Sequence, residues 1–189
     1  LWLLTLVPAA LHLREREPER PSVRFTIPPP DKTAFLSFDV PAVSPDGRRI
    51  VFVAAPAGGT RTLWMRPLDS LSAQPLPGTE GAYLPFWSPD GRAVAFFGNG
   101  ALKKIEVAGG AAQTLCATRG LGGGTWNQHG EILFAGDGPI FRVAAGGGEP
   151  KPATTLDTSR QEMQHAWPSF LPDGRHFLYV GGGAQPATN

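Results

Sequence analysis

The stretch Pro85-Phe86-Trp87-Ser88-Pro89-Asp90-Gly91-Arg92-Ala93-Val94-Ala95-Phe96-Phe97 decides how this chain is read. It joins a short apolar strand to a second strand of Val, Ala and Phe through a Ser-Pro-Asp-Gly turn. Each turn residue suits its place. Ser88 can hydrogen-bond back onto the turn, Pro89 has its φ preset for the first corner, Asp90 fits the second, and Gly91 accepts the positive φ from which the return strand begins. The pattern predicts a β-hairpin.

The hairpin recurs. An earlier copy reads Pro41-Ala42-Val43-Ser44-Pro45-Asp46-Gly47-Arg48-Arg49-Ile50-Val51-Phe52, and a later one Pro168-Ser169-Phe170-Leu171-Pro172-Asp173-Gly174-Arg175-His176-Phe177-Leu178-Tyr179. Between them, Gly124-Thr125-Trp126-Asn127-Gln128-His129-Gly130-Glu131-Ile132-Leu133-Phe134 keeps the aromatic, the glycine and the apolar return strand but lacks the Pro-Asp pair. The turn glycines Gly47, Gly91, Gly130 and Gly174 are spaced by 44, 39 and 44 residues. A period of about 40–45 residues with several strands per unit is the mark of a β-propeller blade. Asp46, Asp90 and Asp173 are then turn residues, too far apart and too alike in context to form one metal site.

Two further strand-like segments follow each of the first three hairpins. Thr62–Arg66, Leu102–Val107 and Ile140–Val143 fill a third-strand slot, and Ala73–Leu76, Ala112–Cys116 and Lys151–Thr155 a fourth. Pro75 and Pro152 suit an outer edge strand, where a missing N–H breaks no ladder bond. The second strands, Ile50–Val53 and Val94–Phe97, are apolar on both faces and need cover above and below, which stacked blades provide. The fold class expected is all-β, a propeller of four-stranded antiparallel blades.

The Trp/Phe-x-Ser-Pro-Asp-Gly-Arg hairpin resembles the TolB-type, WD-like propeller repeat common in bacterial extracytoplasmic proteins, over about residues 33–189. The similarity extends to the propellers of bacterial membrane-anchored, eukaryotic-like serine/threonine protein kinases. It is carried by Val23-Arg24-Phe25-Thr26-Ile27-Pro28-Pro29-Pro30, Leu63-Trp64-Met65-Arg66-Pro67-Leu68-Asp69-Ser70 and Trp167-Pro168-Ser169-Phe170-Leu171-Pro172-Asp173-Gly174-Arg175-His176-Phe177. The resemblance implies an extracytoplasmic sensor or interaction domain. It is specific for fold and weak for function, since one blade type serves interaction modules, sensors and peptidase gates.

Three segments are expected. Residues 1–13, Leu1 to Leu13, are almost wholly apolar and shorter than the roughly 20 residues that span a bilayer, so they read as the end of a transmembrane helix or the core of a signal peptide. Residues 14–22 form a proline-broken linker whose three acids balance three arginines among Arg14 to Arg20, which signals neither an acidic-lipid patch nor an orientation. Residues 23–189 form the partial propeller. Val23–Ile27 either closes the ring as a strand of the last blade or is a lead-in packed on the first. The hydrophobic start places the propeller outside the cytoplasm, membrane-anchored in one reading and soluble in the periplasm in the other.

Composition bounds the partners. With 24 Gly and 20 Pro the chain suits short strands and many turns, and 41% apolar residues suffice for a core. The net charge of +1 and the lack of a basic, aromatic-interleaved stripe disfavour nucleic acid. The single cysteine, Cys116, is expected to be a packed thiol. No phosphate loop, zinc pair or nucleophile elbow occurs, nor the glycine-rich, H-R-D or D-F-G elements of a kinase catalytic domain, so this chain is not itself a kinase. No catalytic residue, metal or cofactor is assigned. The triple glycines at 122–124, 146–148 and 181–183 read as blade loops rather than anion cradles.

Propeller geometry brings the loops that lead into the inner strands to one mouth of the central channel. Those loops carry Glu80, Tyr83, Arg119, Arg160, Glu162 and His165, which together can grip a protein, a peptide or a small ligand. The plain alternative is that they solvate loops, with His165 packed beside Trp167 and its nitrogens bonded to backbone. Three functions fit: the sensor propeller of a membrane-anchored kinase, a TolB-like periplasmic scaffold, and the gating propeller of a prolyl-oligopeptidase-like hydrolase. At a period of about 42 residues, residues 33–189 amount to about 3.7 blades. Closed rings commonly have more, so an unfinished ring is expected, with an exposed apolar row to which Phe177, Leu178 and Tyr179 contribute.

Overall fold

The computed structural model describes residues 26–36, 40–120 and 122–183. Residues 1–25, with the apolar start and the charged linker, lie outside them. Among the described residues no helix is long and apolar enough to cross a membrane.

Four antiparallel sheets follow one another in chain order. The first contains β1 (Thr33–Phe35), β2 (Ala42–Val43), β3 (Arg49–Pro56), β4 (Thr62–Pro67) and β5 (Gln74–Pro75). The second is β6 (Tyr83–Trp87), β7 (Ala93–Gly98), β8 (Ala101–Glu106) and β9 (Gln113–Ala117). The third is β10 (Gly124–Trp126), β11 (Glu131–Ala135), β12 (Ile140–Ala144) and β13 (Lys151–Pro152). The fourth pairs β14 (Glu162–Phe170) with β15 (Phe177–Gly183). Each sheet is a propeller blade. Three are complete, and the fourth is its inner hairpin.

The repeat predicts these elements because its turns are locally determined. In the second blade, Ser88 Oγ donates to Asp90 Oδ1 at 2.6 Å and accepts the Ala93 N–H, while Asp90 accepts the Arg92 N–H. The first-blade turn repeats this with Ser44, Asp46, Arg48 and Arg49. Gly47, Gly91, Gly130 and Gly174 have φ of 68°, 67°, 76° and 64°, the left-handed region that glycine enters without steric cost. In the degraded turn Asn127 Oδ1 takes over, accepting the N–H groups of His129 and Glu131. Pro75 and Pro152 lie on outermost strands, as their missing N–H requires.

Core packing follows from the period-two alternation of each second strand. Val94 and Phe96 face the first blade, meeting Val51, Val53 and Leu63. Ala95 and Phe97 face the third, meeting Ile132 and Phe134. Leu133 and Ala135 then face Phe170 and Phe177 of the fourth. Each fully buried Phe or Leu contributes about 1.5–3 kcal/mol, so every blade boundary is a hydrophobic core rather than a surface contact. Cys116 is buried at the second boundary, and desolvation raises its thiol pKa.

Two expectations are refined. β1 and β2 both pair with β3, with Phe35 opposite Ala54 and Ala42 opposite Val51, so the first blade builds its inner strand from two pieces. Ile27 packs on the same blade beside Ile50, Phe52 and Ala54, while residues 23–25 of the expected lead-in or ring-closing strand lie outside the described residues. In the fourth blade the expected apolar row divides by alternation. Phe177 turns toward the third blade and the Tyr179 ring toward His165. Leu178 and Val180, at 63% and 57% exposure, form the row on the far face.

Candidate functional site

Residues 79–82, 118–120 and 156–161 lead into the inner strands β6, β10 and β14; Glu80, Arg119 and Arg160 lie in those segments, and Tyr83, Glu162 and His165 in the first residues of β6 and β14. Side-chain chemistry separates them. Glu80, Arg119 and Arg160 are exposed. Tyr83 is half-buried, its ring stacked on Phe97 at 5.7 Å, and burial raises its phenol pKa against the opposing charge of Arg61. It is a packing residue whose edge reaches the mouth.

His165 and Glu162 form a closed array. His165 is fully buried, its Nε2 lies 3.0 Å from Glu162 Oε2, and its Nδ1 lies 2.8 Å from Thr154 Oγ1. Glu162 also accepts the Asp157 N–H at 2.7 Å, and this bond, followed by that of His165, lowers its pKa. An ionised carboxylate only accepts, so Nε2 donates to Glu162, while Nδ1 is paired with the Thr154 hydroxyl. Thr154 Oγ1 in turn accepts the N–H of Ile140 at 2.9 Å. Thr79 plays the same part in the first blade, accepting from Leu63 N–H and donating to Leu76 carbonyl. The hydroxyl, imidazole and carboxylate are thus in a sequence familiar from nucleophilic catalysis. Here, however, the hydroxyl is committed to a strand end and the ring is sealed beneath Tyr179 at 4.5 Å. The array clasps the connection between the third and fourth blades. The expected backbone bonding of His165 beside Trp167 is therefore replaced by side-chain partners and a Tyr179 contact.

Arg160 ends a 3-10 turn, Thr158–Arg160, capped by Asp157, whose carboxylate accepts from Ser159 and has a lowered pKa for that reason first. Among the described residues no hydrogen bond or ion pair joins Glu80, Tyr83 or Arg119 to Arg160, Glu162 or His165. Nor do they hold a group of three or more metal-ligating side chains.

A feature beyond the sequence reading lies just inside this mouth. Leu84 and Trp167 adopt φ of 48° and 54°, values that bulky side chains rarely adopt. Each stands seven residues before its turn glycine and precedes a proline, and each sits at a register shift against the second strand, between Tyr83 and Phe86 and between Ala166 and Ser169. Gly123 holds the same place in the third blade with φ of 73°, and Val40-Pro41 in the first. Leu84 and Trp167 mark β-bulges in equivalent positions of the second and fourth blades. Val40-Pro41, Leu84-Pro85, Gly123-Gly124 and Trp167-Pro168 together line an axial depression of about 210 Å³. The signal was in the sequence, as an x-Pro or Gly-Gly pair at a constant offset from the turn glycine.

No protein-family model and no curated protein matches the chain by sequence. Solved structures do match by fold. TolB from Acinetobacter baumannii superposes with a TM-score of 0.65 at 17% identity, over 78% of this chain and 39% of that one. The putative TolB of Agrobacterium tumefaciens gives 0.65 at 18%, over 82% and 59%. The fold is a TolB-like β-propeller. An oligogalacturonate lyase from Vibrio parahaemolyticus also gives 0.65 at 17%, over 86% and 50%, so one architecture accompanies different names. The chain spans 39–59% of the length of these three neighbours.

Proposed function

We propose that the chain is a non-catalytic interaction propeller that works outside the cytoplasm and takes a protein or peptide at the mouth formed by the loops leading into its inner strands. One observation carries the reading. The equivalent repeat positions of four blades, two of them bulged, line one axial depression, and Glu80, Arg119 and Arg160 stand exposed on the segments that lead into the inner strands. Charged groups above an apolar floor suit a polypeptide, whose backbone and charges stay at the rim while a side chain descends. The His165 array, which has the residue types for acyl transfer, is spent on the fold.

The resemblance to kinase propellers and the apolar residues Leu1 to Leu13 favour a sensor domain tethered to the membrane. The likeness to TolB supports a soluble periplasmic scaffold equally well. A reporter enzyme fused after Pro21 in the native gene distinguishes them. Activity outside the cytoplasm with retention in the membrane supports the tethered sensor, and activity in the soluble periplasm the scaffold. Activity confined to the cytoplasm overturns both.

A further inference from the structure

We infer that the axial depression is a pocket for one uncharged aromatic side chain of the bound polypeptide, stacked on Trp167. The inference rests on the reading of this mouth as a polypeptide-binding surface and adds to it the anchor that sets specificity.

Size decides first. Small-molecule sites occupy about 300–1,000 Å³, and this depression, at about 210 Å³, suits a single large side chain rather than a whole ligand. Charge decides next. None of the residues lining it is ionisable, so a buried charge there finds no partner and is disfavoured. Shape decides between aliphatic and aromatic. Trp167 is half exposed although it is the largest apolar side chain available. Its ring lies so close to Gly123 that a Cβ there would come within 2.9 Å of Cε3. The Trp167 N–H donates to the Gly122 carbonyl at 2.6 Å, and its left-handed φ is held between that bond and Pro168. An indole whose backbone is fixed and whose ring is lodged against Gly123, in a depression also lined by Pro41, Pro85 and Pro168, offers a stacking surface whose backbone ordering cost is already met by the fold. Finally, the pocket continues the mouth: Leu84 directly follows Tyr83, and Trp167 lies five residues beyond Glu162, so a chain held at the rim reaches the floor with one side chain.

The test uses the chain with N-acetyl-phenylalaninamide as probe and N-acetyl-alaninamide and N-acetyl-aspartamide as controls, read by ligand-observed saturation-transfer NMR. The phenylalanine amide should give the signal and the two controls should not. Trp167→Asn, whose side chain tolerates the left-handed region, should weaken it about fivefold or more. Leu178→Ser should leave it unchanged, which separates the pocket from the exposed face of the fourth blade. A signal that persists in Trp167→Asn, disappears in Leu178→Ser, or is absent from the parent chain overturns the inference. The reporter fusion after Pro21 is unaffected by any of these results, so the two readings fail separately.

Discussion

Asn127 donates its side-chain amide to the carbonyl oxygen of Gly174, 2.9 Å away, and so ties the turn of the third blade to that of the fourth. Arg49 does the same at the first boundary, between the first and second blades, donating through Nη2 to the Gly91 carbonyl at 2.9 Å while its guanidinium lies 5.3 Å above the Trp87 ring. Trp87 completes that boundary by donating from Nε1 to the Ala42 carbonyl. The turns are therefore bonded side by side across the first and third blade boundaries. Asn127 is buried and also caps its own turn. Asn127→Ala should cost about 1–3 kcal/mol, because two turn N–H groups and the Gly174 carbonyl lose their partner. Asn127→Ser, which restores the turn acceptor of the other blades but not the reach to Gly174, should fall between the two in urea midpoint. Equal midpoints for Ala and Ser would mean that only the inter-blade bond matters.

Gly91 illustrates the purely local part of the turn. With φ of 67° it occupies a conformation that β-branched residues avoid. Gly91→Val should therefore lower stability by about 1 kcal/mol or more, whereas Arg92→Ala, at the exposed next position, should change it by less than about 0.5 kcal/mol. Denaturant unfolding of the two variants beside the parent checks the contrast, and an unchanged Gly91→Val midpoint would refute it.

The clasp at His165 makes an expectation of a different kind. Glu162→Ala leaves the buried Nε2–H and the Asp157 N–H without their acceptor, and Thr154→Val removes the group that receives the Ile140 N–H and pairs with Nδ1. Either change should lower the urea midpoint. It should also raise amide hydrogen exchange across residues 154–162 before it does so in β7 or β11. Loss of protection spread evenly over all blades would show that the array is not a local clasp.

The difference between what was legible in the chain and what was not follows the range of the interactions. Ser88, Asp90 and Gly91 act on atoms within five residues, so their roles, the strand slots and the propeller class could be read directly. Pro75 and Pro152 were legible for the same reason: a missing N–H is a property of the residue. His165 was not, because its partners Thr154 and Glu162 are selected by how the crossover folds back over β14. The bulges at Leu84 and Trp167 were not legible because an x-Pro pair reads equally as an ordinary strand boundary, and only the ring brings three such pairs and Gly123-Gly124 together. Arg119 and Arg160 could be assigned to one mouth by the repeat, but their distance from each other depends on blade curvature.

Acid should weaken the fold through its turn aspartates. Asp46 and Asp90 have lowered pKa values, first because of the Ser44 and Ser88 hydroxyls and then the backbone N–H groups. Asp173 is held lower still, first by the His176 side chain at 2.6 Å and then by backbone N–H groups. Their folded values lie below the unfolded value of about 3.9, so their stabilisation is complete above it and is lost as the pH falls through the folded values. The urea midpoint should thus hold from neutral pH to about 5 and decline below about 4. Asp90→Asn, which keeps an acceptor oxygen but does not titrate, should make the decline shallower. An identical acid limb in that variant would exclude the turn from the titration.

The far face of the fourth blade is where association is expected. Leu178 and Val180 stand at 63% and 57% exposure on β15, a seven-residue strand that pairs on one side with β14 and, among the described residues, has no strand on the other. An exposed apolar strand with a free edge offers both ladder bonds and burial to a second chain. At the other end of the sheets, Phe35 is 45% exposed beside an apolar cavity lined by Ile27, Ile50 and Phe52, which offers a similar surface. This chain should therefore sediment with a concentration-dependent coefficient and bind a hydrophobic dye. Leu178→Lys combined with Val180→Lys should reduce both effects, since charge on an edge strand opposes pairing, while leaving the unfolding midpoint within about 1 kcal/mol of the parent because neither side chain is buried. If the double variant still associates as the parent does, the Phe35 surface carries the contact. A parent that stays monomeric and dye-free at every concentration would instead mean that both faces are covered in solution.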